Sequence, residues 1–370
     1  MLNITIVAGA RPNFMKVAPI IREIVKARDT GAPIAYRLIH TGQHYDKKMS
    51  GDFFEQLGIP DPHANLECGG GTQAEQTAAI MVKFEKELME HRPTLVLVVG
   101  DVTSTMACSI TAKKLCIDVV HVEAGIRSGD MTMPEEINRI VTDSICDHFF
   151  TTSEQANKNL LAQQIPGSRI HFVGNTMIDT LQHNINRIRK PDWWDSLQLA
   201  EKQYFLLTLH RPSNVDDPEK LSGILNAIIE ASAGIPLVFP VHPRTRQILN
   251  TLNMESDHLH CIDPQGYLEF IYLVKHAKGI ITDSGGITEE ATVLHVPCLT
   301  MRNSTERPET VDIGTNELIG DDIPKLKSCI EAIVAGNWKK GGIPDFWDGQ
   351  TSQRIVRILQ ELYLPAVVAQ

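Results

Sequence analysis

The chain has 370 residues, with 35 Lys and Arg against 45 Asp and Glu, a formal net charge of −10. A 42% hydrophobic and 22% charged composition excludes disordered, collagen-like and coiled-coil chains, and the length fits two domains rather than one. The acidic balance and the 6% aromatic content argue against broad nucleic-acid binding, while leaving room for a local basic pocket that takes an anionic small molecule.

Residues 4–8 read as a buried strand opening into Gly9-Ala10-Arg11-Pro12, and apolar positions over 15–25 recur at helical spacing, with Pro19 a possible kink. Strands are expected at 35–39, 95–99, 119–122, 149–151 and 170–173, with a helix over 78–89. After a polar stretch the pattern restarts. Strands are expected at 204–209, 237–241, 280–282 and 298–301, and helices over 221–231 and from about Ile287. Wholly apolar strands separated by helical segments predict parallel sheets covered on both faces. The domain boundary is placed after Gly174-Asn175, giving domains over 1–175 and 176–350, and an amphipathic helix over 354–363 is expected to return to the first domain within a tail of 351–370. The segment 182–200, with Trp193 and Trp194, links or covers the second domain.

Seven scattered cysteines without a CxxC pair give no disulfide framework or structural zinc signature. The start has no basic-then-apolar leader and no run of about 18 apolar residues occurs, so the expectation is a soluble, cytoplasmic protein without a membrane partner.

Ligands of open parallel sheets collect beyond the carboxyl ends of the strands, and the polar clusters fall there. The loop 9–16 joins a flexible glycine to Arg11 and Lys16 and suits an anion, although Arg11 equally suits an ordinary ion pair. It matches neither a phosphate-binding GxxxxGK[ST] nor a GxGxxG pattern, so NTP hydrolysis and NAD binding gain little support. Asp283-Ser284-Gly285-Gly286 is a second anion candidate: Ser284 donates, the glycines admit close backbone approach, and a helix starts there. Glu290 suits a pair of ribose hydroxyls. Arg302, Thr305 and Arg307 suit a pyrophosphate.

Asp101 and Glu123 end different strands and are acid/base candidates. Glu135 and Glu136 open PEEINR behind Pro134, where either one also stabilises the helix start, with Asn138 and Arg139 as organisers. His210, and His242 with Arg244, follow strands and suit phosphate or proton transfer. Asp101, His121 and Glu123 are a conceivable metal set, but no further ligand spacing compels a metal, and an organic acid/base network is preferred. Gln43 and His44 are possible accessory members of the site.

Taken together, the segments GARPNFMK from Gly9, TGQHYD from Thr41, GDVTST from Gly100, HVEAGIRS from His121, PEEINR from Pro134, HRPSNVD from His210, DSGGITEEA from Asp283 and TERPE from Thr305 resemble the non-hydrolysing UDP-N-acetylglucosamine 2-epimerase family over almost the whole chain. The resemblance implies an α/β fold of two Rossmann-like domains facing across a cleft in a GT-B-like arrangement, a homodimer, no cofactor or metal, and a UDP-sugar held between the domains. It implies UDP or ribose contacts from Arg11, Lys16, His242, Ser284, Gly285, Glu290 and Arg307. Gly286, Arg244, Arg302 and the organiser Arg139 join these as substrate-binding candidates. Asp101, Glu123, Glu135 and His210 match the catalytic positions. The implied chemistry is reversible inversion at sugar C2 by elimination of UDP to a 2-acetamidoglucal and re-addition, in the service of polysaccharide synthesis.

Ser213, Thr288 and Tyr45-Asp46 depart from the family pattern. They weaken the case for activation by a second UDP-sugar and point toward altered sugar selectivity. RPNF in the opening loop, where hydrolysing relatives carry RADY, disfavours the hydrolysing reaction. A non-catalytic UDP-sugar sensor is the alternative of a different class.

Overall fold

A computed structural model describes residues 1–42, 56–252 and 256–365. The chain forms two compact units, residues 1–183 with 345–370, and residues 184–344. Gln43 and His44 lie outside the described residues.

The first unit carries β1 (Leu2–Ala8), β2 (Ile34–His40), β3 (Ala64–Asn65), β4 (Leu95–Val99), β5 (Asp118–Val122), β6 (His148–Thr151) and β7 (Ile170–Phe172). Its sheet has the order β3-β2-β1-β4-β5-β6-β7, and every pairing is parallel. The chain moves outward from β1 to β3 and returns to the other side of β1 at β4. That reversal opens a crevice at the carboxyl ends of β1 and β4.

The second unit repeats the plan with β8 (Phe205–Thr208), β9 (Leu237–Pro240), β10 (Leu259–Ile262), β11 (Gly279–Thr282), β12 (Cys298–Thr300) and β13 (Asn316–Leu318). The order β10-β9-β8-β11-β12-β13 places its reversal between β8 and β11. Both units are therefore Rossmann-like, the fold class expected from the sequence.

Side-chain alternation builds the second unit's two cores. Phe205, Leu207, Phe239, Ile281 and Leu299 face one way, against Leu221, Ile224 and Ile228 of helix Pro218–Ala231 and Leu326 and Ile330 of helix Ile323–Val334. Tyr204, Leu206, Val238, Ile280 and Cys298 face the other way, against Leu273 and Val274 of helix Tyr267–His276. Trp194 is buried in that second core, edge-on to Tyr204 and Tyr272, so this part of 182–200 covers a sheet face.

In the first unit, helix Gln73–Glu90 starts on a capping box. Glu75 N–H donates to Thr72 Oγ1 at 3.2 Å, and Thr72 N–H to the Glu75 carboxylate at 2.8 Å. It buries Ile80, Phe84 and Leu88 at four-residue spacing against Val96, Val98 and Val119. Helix Arg11–Asp29 runs unbroken through Pro19. All seven cysteines are free thiols.

Three strands were absent from the sequence reading: β3, β10 and β13. All lie at sheet edges and are largely half-exposed. Such segments need no continuous apolar run, and so leave no run to detect.

Helix Thr351–Tyr363 belongs to the first unit and starts on a side chain from another helix. Asp179, in helix Thr176–Asn184, accepts the N–H groups of Thr351 and Ser352 at 3.0 and 2.7 Å. Burial pushes the Asp179 carboxyl up, against the pull of these hydrogen bonds. Asp179→Ala is expected to cost about 1–2 kcal/mol, with amide protection over 351–363 lost first in hydrogen exchange. Unchanged protection there would refute this capping role.

Candidate active site

In the first unit the turn after β1 is organised by Asn13. Its side-chain oxygen accepts the N–H groups of Gly9 and Ala10 at 3.2 and 3.0 Å, and its amide donates to Val99 C=O at 3.2 Å. The loop after β1 is thereby sewn to the end of β4. A Cβ on Gly9 would lie 2.2 Å from Ser104 Oγ, so only glycine fits this approach. Arg11 is the first residue of the helix that follows.

Lys16 reaches across to an ion pair with Glu123 at the end of β5. Glu123 is buried and has φ +69°, a left-handed conformation uncommon for a residue with a side chain and concentrated at functional sites. Gly100, with φ +67°, lies against the same pair: a Cβ there would be 3.2 Å from Lys16 Nζ and 3.5 Å from Glu123 Oε2. Asp101 follows directly and is partly exposed. Arg139 donates to its Oδ2 from Nε at 3.0 Å and from Nη2 at 2.5 Å, while Asn138 donates to its backbone carbonyl at 2.8 Å.

Helix Pro134–Ile145 separates its two leading glutamates. Glu136 is buried and accepts from Ser128 N–H and Oγ–H, Gly129 N–H and Arg139 Nη1 at 2.9, 3.0, 3.1 and 2.7 Å. Burial alone pushes its carboxyl up, but the hydrogen bonds from Ser128, Arg139 and Gly129 hold it below the usual range. Glu136 is thus committed to the loop 128–129 and to Arg139. Glu135, by contrast, is partly exposed. His121 is wholly buried, with Nδ1 2.7 Å from Asp143 and Nε2 2.8 Å from Gly100 O, so both ring nitrogens are used within the protein. Among the described residues no group of three or more His, Cys, Asp or Glu is arranged to hold a metal ion.

In the second unit the ends of β8 and β11 are joined by Asp283, which is fully buried. Its carboxylate meets His210 Nδ1 at 2.8 Å and accepts Arg211 N–H at 2.9 Å and the Asn214 amide at 3.1 Å. His210 N–H donates to it as well, at 3.1 Å. Burial works against its charge, yet His210, Arg211 and Asn214 together hold the carboxyl below its ordinary value. The His210 ring is exposed, so a buried carboxylate orients an outward-facing imidazole. The sequence reading treated Asp283 only as the start of an anion loop. Its partners are 69–73 residues away, and only the β8–β11 adjacency reveals them.

Ser284 is the N-cap of helix Gly285–Val293 and makes no side-chain capping bond to it. Its N–H is held by Thr282 Oγ1 at 3.0 Å. A Cβ on Gly286 would meet nothing within 4 Å, so this helix start has open space beside it. Further along, Glu289 pairs with Arg307, and Glu290 accepts from Tyr267 OH at 3.2 Å. Burial, then the charge of Glu289, pushes the Glu290 carboxyl up to about 8, with the Tyr267 hydrogen bond opposing.

Both Nη groups of Arg302, a residue expected to address a pyrophosphate, close on the two oxygens of Glu306 at 2.8 and 2.7 Å. This buried fork lies beside Gly285 and props the loop. His242 is exposed after β9, and Arg244 lies in helix Pro243–Leu249.

Two doubly wound parallel sheets with polar groups gathered at their reversals define a nucleotide-binding class of fold. The same fold relates the chain to a UDP-glucosyltransferase from Polygonum tinctorium, at TM-score 0.57 and 10% identity over 97% of this chain and 98% of that one. The particular family is fixed by sequence. The model of the UDP-N-acetylglucosamine 2-epimerase family matches residues 26–360, and the chain belongs to that family. It is 42% identical to a UDP-N-acetylglucosamine 2-epimerase of Methanocaldococcus jannaschii, over 97% of this chain and 99% of the relative. The crystal structure of that enzyme with UDP-GlcNAc and UDP superposes at TM-score 0.85, covering 97% of this chain and 100% of that one. A Pseudomonas aeruginosa UDP-2,3-diacetamido-2,3-dideoxy-D-glucuronate 2-epimerase is 37% identical over 98% of this chain and 100% of its own length.

Asp283→Ala leaves three buried or half-buried donors without their acceptor and is expected to cost about 3 kcal/mol or more. His210→Ala, at the exposed end of the pair, should cost under about 1 kcal/mol. Urea unfolding compares the two, and equal losses would contradict the buried-anchor reading.

For Glu290 the sign follows from its raised value. Between the ordinary value of 4.5 and about 8 the folded chain keeps a proton that the unfolded chain has released. Stability is therefore lost across that window as pH rises, and the loss levels off above it. Relative to Glu290→Gln, the unsubstituted chain should weaken progressively from about pH 5 to about pH 8 in urea unfolding. A pH-independent difference would overturn the assignment.

Proposed function

We propose that the chain is a non-hydrolysing UDP-N-acetylglucosamine 2-epimerase, interconverting UDP-N-acetylglucosamine and UDP-N-acetylmannosamine. The observation that carries this reading is the grouping at the first unit's reversal point. Asp101 and Glu123 each end a strand, each meets its own cation, and Glu135 opens the helix that also carries Arg139. Inversion at C2 needs proton removal from one face and delivery to the other, so it needs more than one carboxyl group in distinct surroundings.

In this reading Asp101 takes the C2 proton. The C–H electrons form the C1=C2 bond, the C1–O bond breaks, and its electron pair leaves on the β-phosphate of UDP. Glu123 and Glu135 orient the 2-acetamidoglucal and supply the proton to the opposite face of C2, and UDP returns to C1. The sequence is redox-neutral and consumes no co-reactant, so it asks for no cofactor. His210, held by Asp283, donates toward the departing phosphate. The helix start offers the Ser284 hydroxyl and the Gly285 and Gly286 N–H groups to the diphosphate, with Arg11, Lys16, His242, Arg244, Arg302 and Arg307 as further anion contacts and Glu290 on the ribose. A homodimer working in the cytoplasm on polysaccharide precursors completes the reading.

A second reading, action on a modified UDP-N-acetyl sugar, is favoured by the 37% identity to an enzyme named for a diacetamido glucuronate and by the departures at Ser213 and Thr288. Incubation in D2O with UDP-N-acetylglucosamine, and separately with the diacetamido sugar nucleotide, decides between them. Deuterium is expected at C2 of UDP-N-acetylmannosamine, and release of free N-acetylmannosamine would mark the hydrolysing reaction instead. Asp101→Asn should lower exchange about 100-fold or more while UDP still binds. Binding without exchange in the unsubstituted chain would leave only a sensor.

A further inference from the structure

We infer that His121 is a positioning residue for the proton-transfer carboxylates, fixing the backbone on both sides of the reaction centre through a hydrogen bond at each ring nitrogen. The inference deepens the proposed epimerase reading and rests on it.

His121 lies in β5 between the buried Val120 and Val122, and none of it is exposed. Its Nε2 is 2.8 Å from Gly100 O, the carbonyl directly before Asp101. A carbonyl oxygen only accepts, so this nitrogen carries a proton. Its Nδ1 is 2.7 Å from Asp143 Oδ1. The second oxygen of Asp143 accepts Gly125 N–H at 3.0 Å and pairs with Arg127 Nη1 at 2.7 Å. Both ring nitrogens are thus engaged within the protein, Nε2 with the loop before Asp101 and Nδ1 with the carboxylate that holds Gly125.

The targets are the backbone segments that bear the chemistry. Gly100 and Glu123 both hold left-handed φ, at +67° and +69°, and Gly125 follows at +77°. The glycines adopt it freely, but Glu123 carries a side chain, and such backbone persists only where its surroundings over-determine it. One imidazole supplies part of that constraint on both loops: directly at Gly100, and through Asp143 at Gly125, two residues beyond Glu123.

Packing alone gives no reason for the pair. Apolar residues of similar volume in place of a buried ion pair are often neutral or stabilising, and the neighbours on the strand are valines. The polar pair is explained by the loop geometry that it sets, because catalytic groups displaced by about 1 Å lose on the order of 100-fold in rate.

The test compares His121→Leu with His121→Gln, whose amide can still donate toward Gly100 O. In D2O exchange with UDP-N-acetylglucosamine, His121→Leu should lose about 100-fold in kcat with the Kd for UDP within about threefold, and His121→Gln should regain at least about tenfold of that loss. Turnover within about twofold of the unsubstituted chain in His121→Leu overturns the inference. So does a parallel fall of kcat, UDP affinity and melting temperature, which marks a merely structural role. A ring readout covers the case in which the leucine variant does not fold. With 15N-labelled histidine, the unsubstituted chain should show His121 Nε2 protonated, and a bare Nε2 refutes the geometry. An unsubstituted chain that neither exchanges nor converts any UDP-sugar tested sinks the epimerase reading itself. An active one with unaffected His121 variants sinks only this inference.

Discussion

A parallel sheet covered on both faces leaves little room for polar groups along its strands. Side chains at successive positions are consumed by one core or the other, as Phe205, Leu206 and Leu207 show in alternating between the two cores of the second unit. Functional groups are thus confined to the carboxyl ends, and the crevice at the strand-order reversal is where those ends are least obstructed. The placement of Asp101, Glu123, His210 and Ser284 follows from that confinement. The buried polar groups behind them follow too, because a loop at a buried strand end must satisfy its own backbone.

Each unit solves that problem with a buried carboxylate. Asp143 takes the N–H of Gly125, the His121 ring and Arg127, and Asp283 takes the N–H groups of His210 and Arg211 with the Asn214 amide. Neither is a reacting group in the proposed mechanism. Both carboxyls are held below their ordinary range despite burial, by the partners that surround them. They act as fixed negative centres that shape a loop, and each sets an imidazole in one orientation. Catalysis by preorganised groups depends on such supports as much as on the groups that touch substrate.

This division explains what the sequence could reveal. The apolar strands and the polar clusters after them are local patterns, so β4, β5, β8 and β11 and the loops that follow them were legible. Edge strands β3, β10 and β13 bury too little to leave a pattern. The supporting contacts were hidden for a different reason. Lys16 meets Glu123 across 107 residues and Asn13 meets Val99 across 86, and such pairs exist only once strand order is known. Glu135 and Glu136 show the same limit at short range. Both sit at a positive helix end, and only the loop 128–129 folded over one of them separates support from chemistry. Arg302 pairs with Glu306 only four residues on, a spacing that a charged helix-like turn and a ligand loop share.

The charge balance takes on a sharper meaning at the site. The chain is acidic overall, and the candidate anion-binding cations that can be traced are already engaged: Lys16 with Glu123, Arg139 with Asp101 and Glu136, Arg302 with Glu306, and Arg307 with Glu289. In the proposed reading, a diphosphate meets no bare positive charge at any of these cations. It must share or displace a carboxylate, or rely on groups without a countercharge of their own, namely the N–H groups at the start of helix Gly285–Val293. Sharing has a chemical consequence. Any cation drawn toward phosphate relaxes its hold on the paired carboxylate, and a less stabilised carboxylate is a stronger base.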